Sequence, residues 1–187
     1  MRMDHLWGLG LAVLLIGGSV RAEGGAVTVL GGGYAEACSV AAVSDRSDHD
    51  SIQICTRALD TEVMSPRDRG ATFINRGVLK MRGRAFDEAR LDFDSGVHLF
   101  PQAGEGWANR GAAFVGLRRY QEGLTDIDKA LALGGKEPEK AYFNRALAYE
   151  GLNDEKSAYF DYRKALELKP GWILPQHELL RFSVTRP

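Results

Sequence analysis

The sequence predicts an all-α fold, an α-solenoid built from antiparallel helical hairpins. Small residues recur in three sets, and each set keeps internal spacings of twelve and then seven residues. The first members of the sets lie 34 and 35 residues apart; the sets are Gly77, Ala89, Gly96; Gly111, Gly123, Ala130; and Ala146, Ala158, Ala165. A fixed period of this length indicates stacked supersecondary units.

Helical periodicity continues from Ser65 to the C-terminus. Ser65-Pro66 is a favourable start, because a capping residue precedes proline at the first helical position. Gly, Pro and Asn stand at the breaks, so the expected helices are 66–82, 86–99, 104–117, 120–133, 138–151, 155–168 and 174–183. Small residues are expected where two helices cross, surrounded by a core of large ones: Phe73, Phe93, Trp107, Ile127, Tyr142 and Tyr162.

The composition is that of a globular domain. The chain has 187 residues, of which 44% are apolar and 26% charged, enough for one ordinary core. A formal net charge of −1 argues against nucleic-acid binding, which normally requires a basic stripe.

Residues 1–22 have the pattern of a secretory signal peptide. Arg2 precedes an apolar run, Leu9 to Ile16, and Val20 and Ala22 are small residues that suit cleavage after Ala22. The alternative is an uncleaved membrane anchor, although the run is short for a bilayer span. We therefore expect an exported protein, periplasmic or secreted.

The next segment, residues 23–33, is glycine-rich and is interpreted as a flexible entry to the first helix. A phosphate-binding loop is the alternative, but no G-x-G-x-x-G pattern follows. Whether this segment occupies a binding groove is left open by the sequence.

Cys38 and Cys55 are the two cysteines of the chain. In an oxidising compartment such a pair predicts a disulfide, here across a hairpin of residues 34–61. Two buried thiols are the alternative. The acidic residues of the stretch 44–51 between them suggest a metal site, but their spacing does not match the EF-hand pattern. We interpret it as a loop in which Asp50 or Ser51 caps the next helix.

Arginine and aspartate also recur in register. Each arginine precedes a small crossing residue, and each aspartate follows its arginine by sixteen residues: Arg76 and Asp92, Arg110 and Asp126, Arg145 and Asp161. We expect structural ion pairs across each hairpin. A row of ligand-binding arginines is the alternative.

Together these positions resemble the tetratricopeptide repeat, a family of 34-residue helical hairpins. The resemblance is carried by Trp107 to Phe114, by Gly123, Ile127 and Ala130, and by the third unit from Tyr142 to Pro170. It implies a right-handed solenoid in a domain 34–187, with repeats at 70–103, 104–138 and 139–172. The hairpin 34–61 and residues 173–187 would be degenerate caps.

In this family the first helices of the hairpins line a concave groove. The resemblance therefore places Asn75, Asn109 and Asn144 in a groove, with Arg82, Lys140 and Glu150 as its charges. An amide offers a donor and an acceptor and could hold a peptide backbone. Alternatively, these amides bond only between neighbouring helices.

The function expected is a non-catalytic exported scaffold or adaptor that binds a protein or peptide, with no cofactor, metal or nucleic acid. The alternative is an envelope enzyme or its accessory subunit, although no histidine has a catalytic partner at a recognisable spacing. The partner and the oligomeric state are not predicted.

Overall fold

The computed structural model describes residues 2–5, 25–29, 33–44 and 46–185, with backbone alone at 2–5 and 183–185. Within these ranges lie nine helices and two short strands. They are β1 (Arg2–His5), α1 (Tyr34–Val43), α2 (His49–Thr61), α3 (Pro66–Arg82), α4 (Phe86–Leu99), α5 (Gly104–Gly116), α6 (Tyr120–Leu133), α7 (Pro138–Gly151), α8 (Glu155–Leu168), α9 (Ile173–Leu179) and β2 (Phe182–Thr185).

Consecutive helices pair into four hairpins, α1–α2, α3–α4, α5–α6 and α7–α8. The first helices of the hairpins also pack against one another and form an inner row, α1, α3, α5 and α7. This arrangement confirms the predicted fold class, a solenoid of helical hairpins.

Close approach at the helix crossings requires small residues. A Cβ added at Gly111 of α5 would lie 2.6 Å from Ile127 Cγ1 and 3.0 Å from the carbonyl oxygen of Gly123 on α6. On the second helices, the large side chains of Phe93, Ile127 and Tyr162 are fully buried, as the sequence indicated. The small residues thus let each hairpin close around a bulky neighbour.

Side-chain caps fix the starts of two helices. The Ser65 hydroxyl accepts from the Asp68 N–H ahead of α3, with Pro66 at the first helical position, as the sequence indicated. The cap of α2 is Asp48, whose Oδ1 accepts from the Ser51 N–H at 2.8 Å. Our choice of Asp50 or Ser51 as that cap was wrong, because the helix begins one turn earlier, at His49.

The turn inside each of the last three hairpins contains a left-handed residue. Arg84, Arg118 and Asn153 have φ values of 64°, 59° and 61°. Asparagine tolerates this conformation, whereas a left-handed arginine carries a strain of about 1 kcal/mol. The recurrence shows that the turn geometry is repeated even where the residue does not suit it.

The C-terminus differs from the expected helix 174–183. The helix α9 ends at Leu179, and residues 182–185 instead form β2, antiparallel to β1 with His5 opposite Phe182. β-branched residues such as Val184 and Thr185 favour a strand over a helix. Of the predicted signal peptide, only Arg2–His5 falls within the described residues.

Candidate functional site

The three asparagines lie on the inner row of helices, one on each of α3, α5 and α7. Asn75, Asn109 and Asn144 are 0%, 2% and 3% exposed. A buried amide that lacks hydrogen bonds is costly, so the partners of these side chains decide what this surface does.

Asn75 binds the backbone of the segment Gly25–Val29, which crosses the inner row. The Val27 N–H donates to Asn75 Oδ1 at 2.8 Å, and Asn75 Nδ2 donates to the Val27 carbonyl at 2.7 Å. One amide therefore satisfies both polar groups of one peptide residue, as a neighbouring strand would.

Neighbouring helices hold the same segment at every second residue. Asn109 Nδ2 of α5 donates to the Gly25 carbonyl at 3.0 Å. On α1, the buried Ser39 hydroxyl donates to the Val27 carbonyl at 3.2 Å and accepts from the Val29 N–H at 3.4 Å. The inner row thus forms a groove, defined by Ser39, Asn75, Asn109 and Asn144, which already contains residues 25–29.

Gly25 lies between two acidic side chains. A Cβ at this position would lie 2.8 Å from Glu137 Oε2 and 3.3 Å from Glu105 Cγ. The Glu137 carboxylate is paired with Lys140 Nζ at 2.7 Å. A larger residue at this point of the groove would have to push Glu137 away from its cationic partner.

Beyond Gly25 the groove continues into a cavity of about 50 Å³. Its wall is formed by α5, α6 and α7, including Ala108, Leu131, Lys140 and Ala141, and Asn144 lies in the same lining. Asn144 is 3% exposed as a residue, and no hydrogen bond joins its amide to another residue in the described part of the chain. Of the three asparagines, Asn144 is therefore the one whose amide has no hydrogen-bond partner among the described residues.

The predicted groove charges have different surroundings. Lys140 borders the cavity. Arg82 donates to the Arg46 carbonyl at 3.2 Å and so reaches the loop before α2. Glu150 accepts from the buried Tyr162 hydroxyl at 2.7 Å and from Arg181 at 2.6 Å. The assignment of Glu150 to the groove is corrected, since these bonds direct its carboxylate into the C-terminal cap.

The structure brings together all three predicted arginine–aspartate pairs. Each arginine donates through Nε and Nη2 to both oxygens of its aspartate. The distances are 2.9 and 2.7 Å for Arg76–Asp92, 2.6 and 2.9 Å for Arg110–Asp126, and 2.7 and 2.9 Å for Arg145–Asp161. Hydrogen bonds donated to these aspartates raise the pKa of the Arg110 and Arg145 guanidinium groups. Two-point bonding of this kind engages the arginines internally.

Sequence reasoning missed a second partner of each arginine, on the preceding hairpin. Through Nη1, Arg110 reaches Asp94 at 3.0 Å and Arg145 reaches Asp128 at 2.7 Å. Arg76 likewise donates to Thr56 at 3.2 Å. The signal was present, because Asp94 and Asp128 are themselves 34 residues apart.

Each guanidinium also covers an aromatic ring of its own helix. Arg110 lies 4.8 Å from the ring centre of Trp107, and equivalent contacts join Arg76 to Phe73 and Arg145 to Tyr142. These three rings are half-buried: Tyr142 packs against the core cluster of Phe143 and Tyr162, whereas the expectation that Phe73 and Trp107 are core residues is corrected. The three rings support the arginines at the hairpin surface through cation–π contact.

The sulfurs of Cys38 and Cys55 are bonded at 2.10 Å in the structure, with both residues fully buried. This bridge joins α1 to α2. The formation of the bond in the cell depends on the compartment and stays a prediction.

Two other expectations concern metals and membranes. Among the described residues, no group of three or more His, Cys, Asp or Glu side chains is arranged to hold a metal ion. None of the described helices combines the length and the apolarity that a bilayer span requires. Neither finding extends to residues 6–22, which contain most of the predicted signal peptide.

Comparison with known proteins identifies the repeat. Residues 139–171 match the family model of the tetratricopeptide repeat. The Hsp70-Hsp90 organizing protein of Triticum aestivum is 34% identical over 87 residues, which cover 46% of this chain and 14% of that protein. The chain thus spans about a seventh of this curated relative.

Solved structures resemble the hairpin array. The Arabidopsis OM64 TPR domain has a TM-score of 0.59 and 27% identity, covering 62% of this chain and 95% of that domain. The first TPR domain of Spaghetti (RPAP3) bound to the HSP90 peptide SRMEEVD has a TM-score of 0.56 and 26% identity, covering 64% and 93%. Residues 139–171 thus match the tetratricopeptide repeat, and the helical-hairpin fold of the chain is similar to that of these TPR domains.

Proposed function

We propose that this protein is a non-catalytic scaffold that binds a protein or peptide partner by holding an extended segment in the groove of its inner helices. The observation that carries the proposal is the double hydrogen bond between the Asn75 amide and the Val27 backbone. It supports the proposal, because one amide here satisfies both main-chain polar groups of a single peptide residue.

Backbone binding of this kind does not depend on the side chains of the ligand, because every residue except proline offers one N–H and one carbonyl. Asn109 repeats the contact on the next hairpin, and Asn144 is positioned to repeat it once more. A buried amide without a visible partner, facing a cavity, is the expected appearance of an empty subsite.

The charges favour a partner that is not strongly acidic. The Spaghetti domain is bound to a peptide, SRMEEVD, with three acidic residues. In this chain the groove beside Gly25 presents Glu105 and Glu137, and its nearby cation Lys140 is already paired with Glu137. An acidic peptide would meet like charge there, whereas a neutral one would not.

Export is the second part of the proposal. Its support is the signal-like pattern of residues 1–22, together with a cysteine pair suited to an oxidising compartment. Cleavage after Ala22 would remove β1 and leave β2 without its partner strand. N-terminal sequencing of the protein from its native host checks this point; a product that still begins with Met1 contradicts it.

The binding function is tested with Asn144→Ala. Heptapeptides are selected from a random phage-displayed library on the wild-type protein, and their Kd values are measured by fluorescence polarisation. Loss of two amide hydrogen bonds, each worth about 1 kcal/mol, predicts roughly thirty-fold weaker binding.

Gln121→Ala is the matched control, because Gln121 is an exposed amide on α6. It should leave the Kd unchanged. Failure to select any peptide, or equal Kd values for Asn144→Ala and the wild type, contradicts a groove site at Asn144.

A further inference from the structure

We infer that Gly25–Val27 is an internal ligand of the groove, and that the partner is an extended peptide with a small residue two positions before a valine-sized one, which binds by displacing it. The inference rests on the proposed function and adds to it the chemistry of the partner and the regulation of access.

The segment uses the same number of residues for each hairpin that it crosses. Gly25 is bound on α5, Val27 on α3 and Val29 on α1, so two residues are used for each hairpin. Two residues of a fully extended chain span at most about 7 Å, which is already slightly less than the 8–10 Å between packed helices. A more contracted chain would fall further behind the row of side chains that bind it. Only a nearly extended chain can keep this register, which is therefore a property that a replacing peptide must share.

The side chains of the segment show what the groove accepts. Val27 packs against the core cluster of α3, α4 and α5 that contains Ile74 and Phe93. Thr28 is exposed, and Gly25 fills the narrow place between Glu105 and Glu137. The groove thus selects a small residue and a β-branched apolar residue separated by one position, while the residue after them is less restricted. The intervening Ala26 packs against the core cluster of Cys38 and Cys55, so a small apolar residue suits that position as well.

Val29 behaves as the anchor of the segment. It is 4% exposed and belongs to a core cluster with Ala35, Ala58 and Ala71. Gly25 and Val27 are only partly buried. Asn109 binds Gly25, while Asn75 and Ser39 bind Val27, which packs at the edge of the same cluster. Displacement is therefore expected to release residues 25–27 while Val29 remains in place.

Tethering determines how strongly the internal ligand competes. A segment joined to its site by a few residues has an effective concentration in the millimolar range. A free peptide of the same sequence with a Kd near 100 μM would thus bind the intact groove about ten-fold more weakly than an open one.

The test opens the groove by Val27→Pro in the full chain. Proline lacks the N–H that donates to Asn75 Oδ1 and cannot restore the double hydrogen bond. The matched control is Thr28→Pro, because the Thr28 N–H makes no hydrogen bond with the described residues and its side chain is exposed. The probe is a fluorophore-labelled peptide with the sequence of residues 23–28, blocked at both ends.

We expect Val27→Pro to bind the probe about ten-fold more tightly than the wild type or Thr28→Pro. Equal binding of the probe to all three overturns the internal ligand but leaves the scaffold function standing. Absence of binding to every variant, with no library peptide bound either, overturns the proposed function and the inference with it.

Hydrogen exchange supplies a second measurement that needs no variant. In the free protein the Val27 amide should exchange at least ten-fold more slowly than that of Thr28, because only the first is hydrogen-bonded. Saturation with the probe should remove this protection. A Val27 amide that exchanges freely without the probe, or stays protected with it, refutes the displacement.

Discussion

The pairing of Arg110 with Asp126 offers a direct test of how these hairpins are held in register. Replacing Asp126 by alanine removes a carboxylate that is 4% exposed and leaves its arginine partner in place. The guanidinium loses the bonds at 2.6 and 2.9 Å but keeps Asp94 at 3.0 Å. Asp126→Ala thus removes one of the two carboxylate partners of the Arg110 guanidinium and changes no other residue.

The expected magnitude follows from the burial of the two groups. Breaking a fully buried pair by removing one partner costs about 3–5 kcal/mol. The Arg110 side chain is 19% exposed and retains one carboxylate, so part of this loss is recovered. We therefore expect a decrease of about 2–3 kcal/mol in the free energy of unfolding.

Urea unfolding followed by circular dichroism measures this difference, and a thermal scan should show a Tm lower by roughly 5–10 °C. Asp128→Ala is the control on the same helix, because that side chain is 55% exposed although it also bonds an arginine. Its cost should stay within about 1 kcal/mol. If Asp126→Ala is no more damaging than Asp128→Ala, the structural account of the buried pairs is refuted.

Two further predictions concern packing and the disulfide. Gly111→Ala places a Cβ 2.6 Å from Ile127 Cγ1 and should lower the free energy of unfolding by about 1–3 kcal/mol. Gly135→Ala is the control and should be nearly neutral, because a Cβ there has no neighbour closer than 3.8 Å. Similar melting temperatures for the two variants would contradict the close crossing. Replacing Cys38 and Cys55 together by alanine opens a loop with a separation of 17 residues and should cost about 3 kcal/mol. An unchanged urea midpoint, or two titratable thiols in the protein purified from its native host, would argue against the bridge.

The hairpins could be predicted from the sequence because each helix crossing requires small residues, and these residues recur with a fixed period. Gly111 and its equivalents are small for a steric reason that applies in each repeat, so the register was readable. A cap depends on a local turn instead, and Asp48, Asp50 and Ser51 satisfy the same residue preference. The start of α2 was accordingly predicted two to three residues late.

Partners of long polar side chains were harder to predict than their positions. Glu150 occupies an inner helix, but its carboxylate turns towards Tyr162 and Arg181, and Arg181 is 31 residues away in sequence. The binding of Val27 by Asn75 joins residues separated by 48 positions. The short glycine-rich segment has too few side chains to form a pattern from which this contact could be predicted. The contact was found only in the three-dimensional structure.

The second bonds of the arginines have a consequence for how the array comes apart. Arg110 and Arg145 each fasten their own hairpin to the one before it, through Asp94 and Asp128. Separating two neighbouring hairpins therefore breaks an ion pair as well as exposing apolar surface, while each arginine stays bonded to its own aspartate. Peeling from one end is penalised at every boundary, which favours a molecule that melts in a single concerted transition over one that frays hairpin by hairpin.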